Sequence, residues 1–68
     1  MTNFENWANA LDRAAEERQL SRYDQLLLDA AEVQLLLGNL GAAGNLISKM
    51  NDYEMYKTFQ NLKQVEAY

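Results

Sequence analysis

Sixty-eight residues with ten acidic and six basic side chains give a net charge of −4 and a mean hydropathy of −0.45. A chain of this length makes a single domain with a marginal core. It contains neither Cys nor His, which excludes disulfides, thiolate nucleophiles, imidazole bases and the usual ligands of structural zinc.

The composition is that of a helical protein. There are eleven Leu and nine Ala, no Pro, and only Thr2, Val33, Ile47, Thr58 and Val65 are β-branched. The expected architecture is all-α: one domain over residues 1–68, a compact bundle of three to four short helices spanning about 3–18, 22–37, 40–50 and 52–66.

In the first helix, Thr2 with Glu5 has the form of a capping box, and Asn3 is a competing cap. Phe4, Trp7, Ala8, Leu11, Ala14 and Ala15 recur at helical spacing and form one apolar stripe, with Glu5, Asn9, Asp12, Arg13 and Glu16 opposite. Ser21 is a good N-cap for the second helix. There Tyr23, Leu26, Leu27, Ala30, Val33 and Leu37 form one apolar face. Leu28 and Leu35 fall outside it, and Leu36 lies away from both. A helix apolar over more than half its circumference is either central in a core or covered by a second chain. So short a chain has little material to cover it, and this surplus predicts a homodimer through Leu28 and Leu35.

Gly38 suits the left-handed position after a helix end, and Asn39 can cap the short third helix. The small residues Gly41, Ala42, Ala43 and Gly44 allow close approach of a neighbouring helix. The fourth helix carries a capping box in Asn51 and Glu54, with Met50 and Met55 as a hydrophobic staple. Met55, Tyr56, Phe59, Leu62 and Val65 make its apolar face, and Tyr53 and Tyr68 fall beside it.

Candidate chemistry is sparse. The densest oxygen cluster, Asn51-Asp52-Tyr53-Glu54, is accounted for by helix capping and lacks the spacing of a calcium loop. Without His a serine nucleophile would need Lys or a carboxylate as its base, and the two serines read as a cap, Ser21, and a helix-surface residue, Ser48. The carboxylate pairs Asp12/Glu16 and Asp29/Glu32 are suitably spaced on helices but read as solvated. Gly38, Gly41 and Gly44 match neither phosphate-loop pattern. No cofactor, metal or catalytic residue is therefore expected. A helix-turn-helix reader would need basic or amide side chains on its recognition helix, and residues 41–50 offer only Asn45, Ser48 and Lys49. The acidic balance also disfavours nucleic acid, whose nonspecific affinity comes from Lys and Arg neutralising phosphates.

No apolar run exceeds Leu26-Leu27-Leu28 or Leu35-Leu36-Leu37, far short of the ~20 residues of a membrane span. The first residues, Met1 to Glu5, have neither the basic nor the apolar region of a signal peptide. A cytoplasmic protein is expected.

What remains is surface. Aromatic and Met side chains are enriched at protein interfaces, and they concentrate at the C-terminal end. Tyr53, Tyr56 and Tyr68, together with Leu28 and Leu35, are the expected interface residues. The expected function is a non-enzymatic adapter or stoichiometric inhibitor of a larger protein complex, one that handles nucleic acid being the kind an acidic face could occupy. Bacteriophages and mobile elements often encode such short acidic chains. A small DNA-associated regulator and a structural subunit of a larger assembly are the alternatives.

Overall fold

Each segment that the leucine and alanine spacing marks as helical is one. The computed structural model describes residues 4–65, in which four helices follow in order: α1 (Phe4–Glu16), α2 (Arg22–Leu36), α3 (Leu40–Ser48) and α4 (Tyr53–Val65). No strand occurs among the described residues. The Thr2 cap lies outside them.

The helices form a closed ring. α2 packs on α1 and on α3, α3 packs on α4, and α4 returns to α1, while the backbones of the diagonal pairs stay apart. The resulting body measures 31 × 19 × 17 Å. Each helix therefore buries one face toward the ring centre and turns another to solvent.

The core is assembled mainly from Trp7, Leu11, Leu28, Leu35, Ile47, Met55 and Phe59. α1 contributes its predicted stripe, with Trp7, Ala8, Leu11 and Ala15 buried and Phe4 and Ala14 packed at its margin. The Trp7 ring meets Phe4 edge-on at 5.3 Å and Phe59 of α4 at 5.9 Å, closing the ring between first and last helices.

α2 starts at the Ser21 cap, whose hydroxyl accepts from the Asp24 backbone N–H at 3.1 Å. It ends in a Schellman motif: Asn39 N–H donates to the Gln34 carbonyl and Gly38 N–H to the Leu35 carbonyl. Gly38 holds the required left-handed conformation, φ 81°. α3 is capped by the Asn39 side chain, which accepts from Ala42 N–H. Of the small residues Ala43 is fully buried, and of the two glycines only Gly44 is closely approached. A methyl group at Gly44 would stand 3.1 Å from the Phe59 ring, whereas at Gly41 it would meet open space.

Three expectations need correction. The cap of α4 is Asp52, whose Oδ1 accepts from Glu54 N–H at 3.0 Å, rather than Asn51. The Asn51 N–H is instead held by a carboxylate from α2. Val65, assigned to the apolar face of α4, is largely exposed.

The third correction concerns α2. Its buried face is Asp24, Leu28, Ala31 and Leu35, and both Leu28 and Leu35 have 0% exposure in the single chain. They fill the centre of the ring and cannot form an outward seam. The face expected to be core is the outer one. Helical periodicity fixes which residues share a side, but where two sides are apolar it does not say which faces inward.

Candidate functional site

The outer surface of α2 is where this chain departs most from an ordinary small domain. Tyr23, Leu26, Val33, Leu36 and Leu37 are each between 54% and 73% exposed. Tyr23, Leu26, Ala30, Val33 and Leu37 follow one another at alternating spacings of three and four along the helix. That is the a/d pattern by which one helix seats against another. Single exposed leucines need no explanation; a contiguous row of them on one helix does.

One border of the row is acidic. At 100° per residue, Arg22, Asp29 and Leu36 run along one edge, with Gln25 and Glu32 behind them. α1 lies on this side. Glu5, Ala8, Asn9 and Asp12 of α1 join Glu32 and Leu36 of α2 around a depression of about 310 Å³. Glu32 is half-buried there, and its Oε2 is sequestered with no hydrogen-bond partner among the described residues. Burial pushes its carboxyl up to about 7, and the nearby charges of Asp12 and Asp29 add to the effect. The Asp29 carboxylate accepts from the Gln25 side-chain amide at 3.0 Å. Among the described residues none of Glu5, Asp12, Asp29 and Glu32 belongs to an ion pair. The opposite border, Leu27 and Gln34, is uncharged and half-buried.

The platform under this surface is held by two carboxylates. Asp24 is 3% exposed and spans from α2 to the α3–α4 turn, accepting from Asn51 N–H at 2.8 Å and Asp52 N–H at 3.1 Å. Asp52 in turn accepts from Arg18 Nε at 2.6 Å, tying the end of α1 to the start of α4. This bond holds the Asp52 carboxyl below its usual range and raises the Arg18 guanidinium above its own. In the sequence Glu32 reads as solvated and Asp24 has no visible role. No local signal marks Asp24, because its partners lie 27 and 28 residues away.

The tyrosines occupy a separate region. Tyr53 is exposed and Tyr56 half-buried, their rings 6.1 Å apart. With Ser48, Met50 and Asn51 they line a depression of about 530 Å³ at the α3–α4 turn. A smaller one of about 410 Å³ continues from Ser48 and Tyr56 to Lys63 between the two helices. Tyr68 lies outside the described residues. The five expected interface residues are thus not brought together: two are core, two line the turn, and one lies outside.

Among the described residues no group of three or more carboxylates is placed to hold a metal ion, and no helix is long and apolar enough to cross a membrane. The chain matches no protein-family model, and no protein of curated function and no solved structure is significantly similar to it.

Proposed function

We propose that this chain is a non-enzymatic protein-interaction module, an adapter or stoichiometric inhibitor of a larger complex, that binds through the outer face of α2. The observation that carries this reading is the row of exposed apolar side chains at a/d spacing on a helix whose other face already fills the core. Burying large apolar surface is the main driving force of association. A small domain that leaves such a row open sacrifices solubility unless something covers it. Two further features support the reading. The row sits on a helix anchored at both ends, by the Ser21 cap and Asp24 at one and the Schellman motif at the other, so it is pre-organised for docking. The three depressions are open to solvent rather than enclosed, and the Ser48 hydroxyl that lines two of them is already committed to the Asn45 carbonyl at 2.7 Å.

The test compares the wild-type chain with a Leu26→Asp/Val33→Asp double variant as bait in lysate of the source cells. Both positions are exposed, so the variant should fold, which circular dichroism checks. A protein retained by wild type and lost with the variant is the expected result. Identical profiles for the two baits would overturn the reading.

A further inference from the structure

The acidic border identifies what lies on the apolar row. We infer that the outer face of α2 receives a basic amphipathic helix of another protein, its apolar stripe laid along Tyr23, Leu26, Val33 and Leu37 and its flanking Lys or Arg reaching the carboxylates between α1 and α2. This rests on the interaction-module reading and adds the chemistry of the partner.

The first ground is shape: the exposed side chains make one straight row from Tyr23 to Leu37, about four helical turns long, and a row of that form is how one helix seats along another. The second is charge. Asp12, Asp29 and Glu32 converge on one side of the row with Glu5 close by, in no ion pair among the described residues, and Glu32 keeps a sequestered oxygen without a donor. A partner's cation would meet the exposed carboxylates of Glu5, Asp12 and Asp29 around it, and charge-assisted hydrogen bonds to a carboxylate are the stronger kind.

Symmetry weighs against a second copy of this chain. In an antiparallel pair of helices, like edges meet across the interface. Full overlap of α2 with itself would set Asp29 opposite its own copy and Arg22 opposite Leu36, aligning acid with acid. A parallel pair would place the acidic edge against Leu27 and Gln34, which carry no charge. Neither brings a cation to Glu32.

Area sets the expected strength. Five side chains more than half exposed leave on the order of 500 Å² of apolar surface, so a docked helix buries about 1,000 Å² in all, the size of weak and transient complexes. Dissociation constants in the micromolar range are expected.

The probe is a synthetic peptide of three heptads, with Leu at the a and d positions and Lys at the flanking e and g positions, which also keeps it from pairing with itself. A peptide with Glu in place of Lys, and a scrambled Lys peptide of the same composition, are the controls. Fluorescence anisotropy should show micromolar binding of the Lys peptide, with both controls at least about tenfold weaker. Leu26→Asp/Val33→Asp should weaken it more than about tenfold, and Glu32→Gln with Asp12→Asn about fivefold, the latter difference shrinking at high salt. Equal binding of Lys and Glu peptides would overturn the basic partner while leaving α2 as a docking face. Equal binding of the scrambled peptide, or binding indifferent to Leu26→Asp/Val33→Asp, would overturn the seat itself. If no peptide binds but sedimentation shows a dimer that the double variant abolishes, a second copy is the occupant and the proposal fails. A monomer that binds no peptide overturns it too.

Discussion

The two sides of α2 carry nearly the same residue types and do opposite things. Inward, Leu28, Ala31 and Leu35 are sealed at 0% exposure. Outward, Leu26, Val33 and Leu37 stand more than half in water. α1 shows the usual arrangement, with its apolar side chains on one side and carboxylates on the other. Folding alone requires one apolar face per surface helix, and the second face of α2 is surplus to the core.

The sharpest way to break this contrast is to truncate each side in turn. Leu35→Ala should remove about 2–4 kcal/mol, the range for a leucine lost from a close-packed core. For a domain of this size that lowers the melting temperature by on the order of 15 °C, or unfolds the chain, as thermal denaturation followed by circular dichroism would reveal. Asp24→Ala, on the same inward side, strands two backbone N–H groups and should cost about 2–3 kcal/mol, with Asp24→Asn in between, measured by urea denaturation.

Glu32 sits where the two sides meet, and its effect depends on pH. Its carboxyl titrates at about 7 in the fold against an ordinary value of 4.5, so the folded chain holds this proton more firmly than the unfolded one. Stability from this group is fully present below about 4.5 and is lost as pH rises to about 7. Glu32→Gln should therefore stabilise the protein at pH 7.5 by about 1 kcal/mol, a figure reduced for the solvent that reaches this half-buried group, and change little at pH 4. A variant with no pH-dependent advantage would show that the carboxylate is better solvated than its surroundings indicate. The smallest effect belongs to the outer row: Leu26→Gln should change stability by no more than about 0.5 kcal/mol in urea titrations. A loss comparable to that of Leu35→Ala would mean that Leu26 is covered within the folded chain and would end its candidacy as a binding residue.

Much of the architecture was legible in the sequence. Four helices, the Ser21 and Asn39 caps, the left-handed Gly38 and the α1 stripe are local signals, each fixed by residues within a turn or two. The α4 cap was placed one residue early because Asn51 and Asp52 are both competent, and the choice falls to Asp24 of α2 and Arg18 of the α1–α2 loop, which bind the turn. The candidate site was read inside out for the same reason. The surplus of leucine on α2 was visible, but its assignment to Leu28 and Leu35 assumed that the wider apolar face is buried. The narrower face that is turned inward carries Asp24, a polar residue among the buried positions that reaches the α3–α4 turn. The acidic depression went unseen because Glu5, Asp12 and Glu32 become neighbours only when α1 and α2 pack.

The edge-on stack of Phe4, Trp7 and Phe59 gives the molecule a built-in optical gauge. Trp7 is its one indole, wedged at the seam where the last helix swings back onto the first. Its emission should therefore stay blue-shifted only while that seam is shut, and should report closure of the whole circuit rather than the winding of any single helix. A stopped-flow trace of its colour, set beside one of helicity, would time the final joining of the two ends.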